Sequence, residues 1–276
     1  MRQASIHTLF WGACVLLLLS ACEQAEPPAE ETATDEAAPE AVSDCQLTMG
    51  WDPWEPYHYM TPKGEVDGLD VELVRAAAER MDCELDFVQD DFLTLLDGLR
   101  AGEIDLIPGA THTEARAQFA HFSDPYRVEY FTIWIRTDDQ ELLEGKDLTS
   151  LLESGRRVGF TEGFIYGSEV ESLMADPEHE VLLRGARIGD LNLLRLIDHD
   201  IDAMIEDPYV ATSIQRRLGF GEQVVRLEHE LGRGDVHLMF SQSSVDEPLV
   251  ERFNDVLAEL EEDGTQDEIA ARYQKP

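Results

Sequence analysis

Between Leu47 and Pro108 the hydrophobic period of the chain switches back and forth. LTMGW (47–51) is short and apolar, and GLDVELVRAAAERM (68–81) repeats apolar residues every three to four positions. LDFV (85–88) is short again, FLTLLDGLRAG (92–102) returns to the helical period, and IDLIP (104–108) closes the series. Strand-length runs alternating with helices of ten or more residues point to a parallel sheet, because a parallel strand pair needs a crossover and a helix supplies it. In the first helix Leu69, Leu73, Val74, Ala77, Ala78 and Met81 share one face, and acids occupy the first turn, where the helix dipole favours them.

The second half repeats this order. RRVGF (156–160) reads as a strand, IYGSEVESLM (165–174) as a helix and HEVLL (179–183) as a strand. LNLLRLI (191–197), IDAMI (201–205), YVATSIQRRL (209–218) and QVVRL (223–227) continue the alternation. After FSDPY (122–126) a β-rich run, YFTIWIRT (130–137), leads away from the first unit, and DVHLMF (235–240) returns to it. Two helices from about 246 to 273 end the chain. With 276 residues, 43% of them hydrophobic, there is material for two lobes of roughly 100 residues each. The expected fold is therefore α/β, with two doubly wound lobes and a two-strand hinge near 132–137 and 235–240. Residues 45–135 plus 236–276 form lobe 1, and 136–235 form lobe 2. A ligand belongs in the cleft between them.

The N-terminal residues 1–21 are expected to stand apart from the fold. Arg2 precedes LFWGACVLLLL, an apolar run too short to span a bilayer, which ends in LSAC (19–22), the pattern of a secretory signal. Leu19, Ser20, Ala21 and Cys22 resemble the lipobox of bacterial lipoproteins. That resemblance implies cleavage before Cys22 and acylation of its thiol, with enough chains for stable anchoring. An ordinary signal peptide or a short membrane anchor is the alternative. Residues 22–44 are dominated by Glu, Ala, Pro and Thr, which cannot build a core, so they read as an acidic, disordered spacer. The whole chain sets 58 acidic against 21 basic side chains, a formal charge of −37. Such a charge repels nucleic acid and anionic headgroups, and it fits a surface adapted to salt.

Cys14 leaves with the signal and Cys22 is the lipid site, which leaves Cys45 and Cys83. Each stands two residues before a leucine that opens a strand-like run. If those strands are parallel neighbours about 4.8 Å apart, the two sulfurs meet at one edge within disulfide reach. An exported chain can form that bond. Two unpaired core cysteines are the alternative.

GLDVELVRAAAERM, GEIDLIPGATHTEAR (102–116), FSDPY, IDAMIEDPYVA (201–211) and EEDGTQDEIAARY (261–273) stand here in the order found in the family 3 solute-binding proteins, the receptors of polar amino acid ABC importers. The chain resembles that family from residue 46 to its end. The resemblance implies a binding protein rather than an enzyme: a monomer that needs no cofactor and presents a small polar ligand to an inner-membrane permease from the periplasm. It implies that Arg116 grips the ligand carboxylate, with help from the Thr111 hydroxyl and the Gly109 turn. A guanidinium fork is the preferred partner of a planar anion. It further implies that Asp207 receives the ligand ammonium, while Asp207 before Pro208 also reads as a helix N-cap. Trp54 and Phe92 are the expected cleft walls, with Tyr57 beside them. Thr161, Ile165 and Tyr166 are expected from the second lobe, with Glu162, Glu206 and Asp52 as candidates for a specificity pocket.

The chain departs from the family where Pro108 replaces a frequent serine, where 105–116 is one residue shorter than in many members, and where Ile165 replaces a hydroxyl. A second class of function stays open on the same fold. The periplasmic cyclohexadienyl dehydratases resemble this family, and Glu206 or His112 would then serve as general acid. A ligand sensor for a signalling partner is a further alternative. Other motifs fail: DHDID (198–202) opens like a calcium loop, but Ala203 stands where glycine is required and Tyr209 where glutamate closes the loop. The eight histidines lack metal spacing, and no phosphate loop or nucleophile elbow is present.

Overall fold

The computed structural model describes residues 45–273. The signal segment 1–21, the spacer 22–44 and the lipidation expected at Cys22 lie outside the described residues. The chain runs β1 (Cys45–Trp51), β2 (Tyr59–Met60), β3 (Val66–Asp67), α1 (Leu69–Arg80), β4 (Cys83–Gln89), α2 (Phe92–Ala101), β5 (Leu106–Ala110), β6 (Ala120–Phe122) and β7 (Arg127–Arg136). It continues through α3 (Gln140–Leu143), α4 (Leu148–Glu153), β8 (Val158–Thr161), α5 (Ser168–Met174), β9 (Leu183–Ala186), α6 (Gly189–Ile197) and β10 (Ala203–Glu206). Last come α7 (Pro208–Leu218), β11 (Val224–Ser241), α8 (Glu247–Glu262) and α9 (Thr265–Tyr273).

In the first lobe β1 pairs in parallel with both β4 and β5. Alternate residues on these strands face opposite sides. Leu47, Met49, Leu106 and Phe240 pack with the apolar face of α1 and with α8, while Ile107 and Met239 pack with Phe92, Leu95 and Leu99 of α2. Helices thus cover both faces of the sheet. The β1–β4 register sets Cys45 opposite Cys83, and the two form a disulfide with their Cα atoms 4.6 Å apart.

β7 and β11 run antiparallel from Arg127 opposite Val236 to Arg136 opposite Val224. The far end of β11 pairs with β5 and the far end of β7 with β10. These two strands join the lobes into one strand order, β4-β1-β5-β11-β7-β10-β8-β9, with β6 attached to β11. In the second lobe β8 lies parallel to β10 and β9, over a core of Leu148, Leu151, Leu193, Leu196, Met204, Ile205 and Ile214.

Several expected elements move. QVVRL and DVHLMF are not separate strands but the ends of one 18-residue strand, β11. Its polar centre reads as a loop in sequence, yet β7 supplies partners along it, with register shifts between Arg226 and Glu230 and between Leu231 and Gly234. HEVLL is mostly a turn, and the strand lies at Leu183–Ala186, where the register with β8 places Leu183 opposite Val158. Gly185 pairs there with Phe160, and a Cβ on it would come within 2.5 Å of Glu162 Oε1. IDLIP is displaced to Leu106–Ala110, and the helix expected from Ile165 begins at Ser168, after Gly167 at φ 86°. The β2–β3 hairpin, α3 and α4 carry too few residues to announce a period.

Candidate functional site

The parallel strands of the first lobe stand in the order β4-β1-β5, so the chain leaves β1 in one direction and returns to its other side. Such a switch point opens a crevice beyond the carboxyl ends of the strands. Asp52 and Trp54 follow β1, and Gly109 and Thr111 stand at the end of β5. They line a cavity of about 20 Å³ together with His58, Phe92, Pro108, Arg116, Glu129 and Phe131, while Phe164 and Ile165 close it from the second lobe.

Arg116 opens a 3₁₀ turn, Arg116–Gln118, and is buried. Its Nη1 donates to the Thr111 carbonyl (2.8 Å) and its Nη2 reaches across the cleft to the Gly163 carbonyl (2.8 Å). The guanidinium carbon lies 5.1 Å from the Phe92 ring centre. Burial lowers its pKa to about 10, against the opposing pull of Glu129 and Glu171, so it stays charged at neutral pH. Trp54, Phe92 and Phe164 form an aromatic wall shared by the lobes: Phe164 meets Trp54 edge-on at 5.5 Å and Phe92 at 5.4 Å.

Glu129 enters from β7. Its Oε1 accepts from the Thr111 hydroxyl (3.2 Å), and its Oε2 lies 3.7 Å from Arg127 Nη1. Arg127 is itself held in a two-bond fork by the fully buried Asp70, at 3.0 Å and 3.0 Å. Burial pushes the Glu129 carboxyl up to about 7, with Arg127 opposing. Glu206 and Asp207 stand behind Trp54 and Tyr57. Glu206 Oε1 accepts from Trp54 Nε1 (3.1 Å) and from the Asp207 amide (3.0 Å), and burial pushes its carboxyl up to about 8. Asp207 caps α7: Oδ1 accepts from the Tyr209 and Val210 amides, Oδ2 accepts from the Tyr57 hydroxyl (3.2 Å), and burial raises its pKa to about 6. Burial also raises Asp52, with His58 opposing.

Of the residues expected at the site, Trp54, Phe92, Gly109, Thr111, Arg116 and Ile165 share the cavity. Gly109 has φ 70° and sits so close to Arg127 and Asp70 that an added Cβ would be 3.4 Å from each, but its amide donates to the Tyr126 hydroxyl. Tyr57 and Asp207 adjoin the cavity without lining it. Thr161 and Tyr166 do not line this cavity, and Tyr166 packs in the second-lobe core. The Tyr166 ring packs on Phe131 at 4.6 Å, and its hydroxyl pairs with both the amide and the carbonyl of Thr161. Glu162 faces Arg187 near the surface, and His112 packs against Phe122. Asp202 of the calcium-like run anchors Arg136, Arg156 and Arg157. Among the described residues no group of three or more His, Cys, Asp or Glu is placed to hold a metal.

Sequence reasoning missed Glu129, His58, Phe131 and Phe164. For Glu129 a signal exists: it is an acid in phase with Phe131 and Ile133 on the inward face of a β-rich run.

Residues 47–276 match the model of the bacterial extracellular solute-binding proteins, family 3. A probable histidine-binding protein of Neisseria gonorrhoeae is 26% identical over 95% of this chain and 92% of its own length. The histidine-binding periplasmic protein of Escherichia coli strain K12 is 26% identical over 82% of this chain and 86% of its own. Among solved structures, an ancestral arginine-binding protein bound to arginine aligns with a TM-score of 0.73 at 23% identity, covering 84% of this chain and 100% of that one.

Proposed function

Because the chain belongs to the bacterial extracellular solute-binding proteins, family 3, we propose that it captures a free amino acid or a close relative of one between its lobes and presents it to an inner-membrane ABC permease. The observation that carries this reading is Arg116. It is a buried cation on the wall of an interlobe cavity, and its hydrogen bonds go to neutral carbonyls rather than to a carboxylate. A carboxylate meeting it there would form the charge-assisted fork that guanidinium geometry favours. In this reading Thr111 and Gly109 shape the carboxylate end, Trp54 and Phe92 flank the ligand, and Ile165 and Phe164 complete the apolar side. Lobe 1 comprises 45–135 plus 236–276 and lobe 2 comprises 136–235, hinged on β7 and β11.

The domain works in the periplasm as a monomer, tethered through lipid on Cys22 by the spacer 22–44. The disulfide between Cys45 and Cys83 supports an oxidising compartment. In this reading its role is binding and not catalysis, because the family and the named relatives are binding proteins. A thermal-shift screen of the twenty common amino acids tests this reading. A ligand at 100 times its dissociation constant stabilises the native state by about 2.7 kcal/mol. Arg116→Ala, which strands a buried carboxylate, is expected to weaken binding by about 3 to 5 kcal/mol, with Arg116→Lys recovering part. A screen without any shift in the wild type overturns the reading.

A further inference from the structure

The strand β7 serves two cavities. Glu129 and Phe131 line the one between the lobes, while Val128 and Tyr130 line a second hollow of about 220 Å³, as alternate side chains of a strand point to opposite faces. The two cavities have no wall residue in common. Arg233 of β11 borders the second hollow, with Leu69 and Leu73 of α1 and Ile269 of α9 from the first lobe and Tyr209 of α7 from the second.

Its size and walls suit a small ring. An apolar cavity of about 150 Å³ accepts benzene, so this one takes a six-membered ring with a short arm. Five tyrosines stand on its wall, and three have hydroxyls engaged elsewhere. Tyr57 donates to Asp207, Tyr126 accepts from the Gly109 amide, and Tyr273 donates to Asp67 and Glu72. Those rings are left as flat apolar surface, against which another aromatic ring packs well. Val128 and Tyr209 are 51% and 47% exposed, so an occupant covering them removes apolar surface from water.

Charge narrows the choice. The chain carries 58 acidic and 21 basic side chains, yet among the described residues this wall has two arginines and no aspartate or glutamate. Arg127 is buried: Asp70 takes its Nε and Nη2, and among the described residues its Nη1 has no hydrogen-bond partner. Arg233 is exposed, with its Cζ 5.6 Å from the Tyr130 ring centre. Its contact with Glu230, at 3.5 Å, joins two exposed side chains and holds it weakly. That guanidinium can turn to a carboxylate over the hollow. Tyrosine faces also attract cations, but two guanidinium groups oppose a cationic occupant.

We propose that this hollow is a second ligand site, taking a small aromatic carboxylate with its ring among the tyrosines and its carboxylate on Arg233. The site is independent of the amino-acid reading above. Both lobes and both strands that join them build it, so an occupant touches the hinge itself.

The test titrates 3-phenylpropanoate into the full chain with Cys22→Ser by calorimetry, with 3-phenylpropanol and acetate as probes that lack the charge or the ring. Wild type should bind the acid about tenfold or more tightly than either. Arg233→Gln, at an exposed position, should lower that affinity about tenfold, the scale of a hydrogen bond to a charged group. Ala270→Phe, which fills the hollow, should abolish binding, and its melting temperature separates filling from unfolding. Arg116→Ala should leave the affinity within about twofold. No binding at about 1 mM acid overturns the site. So does loss of binding in Arg116→Ala with Arg233→Gln unaffected, which puts the acid in the interlobe cleft. Self-association that Tyr209→Ser abolishes assigns the hollow to a second copy and overturns the small-molecule site. A wild type that binds none of the twenty amino acids but binds the aromatic acid through Arg233 fails the earlier reading and keeps this one.

Discussion

Buried carboxyls around the cleft make stability depend on pH in an unusual direction. Burial lifts Glu206 to about 8, Glu129 to about 7 and Asp207 to about 6, each above its ordinary value. Between the unfolded and folded pKa of such a group the native state holds a proton that the unfolded chain has released. Unfolding stability then falls as pH rises. Their contribution is fully present below the ordinary carboxyl range and is lost progressively up to about 8. Asp202, whose pKa is lowered mainly through its bonds with Arg157 despite burial, acts only below its ordinary value of 3.8 and so outside this window. The melting temperature of the ligand-free protein should therefore fall from pH 5 to pH 8. Glu206→Gln, which imitates the protonated form and can still accept from Trp54, should flatten the upper part of that fall. An unchanged slope in the variant would show that Glu206 already ionises freely in the folded protein.

At the scale of elements, the strand pair β1 and β4 depends on a staple. The disulfide closes a loop spanning 38 residues that contains α1, and in the chain-entropy model such a closure contributes about 3 to 4 kcal/mol. Neither cysteine lies on the cavity. Reduction should lower the melting temperature yet leave ligand affinity within about twofold, an amount below 0.5 kcal/mol. Loss of binding on reduction would mean that the β1 end carrying Asp52 and Trp54 is held in place by the bond rather than by its packing. Helix starts are pinned more locally. Asp91 caps α2, Asp207 caps α7 and Asp246 caps α8, each through a side-chain oxygen on helix amides. All three were open to sequence reading, because an acid before an apolar helical period is a local signal.

In the whole molecule the two lobes touch through contacts of different kinds. Inside the cleft Trp54 bonds Glu206 and Arg116 bonds Gly163. At the rim Glu55 pairs with Arg216 and Arg217, and Asp91 pairs with Arg187. Rim pairs on exposed side chains contribute about 0 to 1 kcal/mol each and are screened by salt. The cavity of about 20 Å³ has room for about one water and none for an amino acid, so a ligand has to enter a more open form and then draw the lobes together over itself. Small-angle scattering should show the radius of gyration falling when the amino acid is added. That compaction should persist in about 1 M salt, where charges separated by more than 3 Å are screened. Salt alone reopening the saturated protein would assign closure to the rim pairs instead of the ligand.

Sequence by itself determined what is local. Hydrophobic period established the alternating strands and helices and hence the parallel sheets. Cysteine placement pointed to the Cys45–Cys83 bond, and family motifs pointed to Trp54, Phe92, Thr111 and Arg116, which the fold gathers on one cavity. Tertiary structure decided what depends on neighbours distant in the chain. The polar middle of β11 is a strand because β7 lies beside it. Tyr166 is core because Phe131 occupies the space over its ring. The lone pairs of Asp207 go to α7 and Tyr57 before any ligand arrives. Glu129 faces the cavity because a ten-residue strand carries its inward face past the end of β5. Periodicity reports which way a side chain points relative to its own element, and only the packing of elements decides what it meets there.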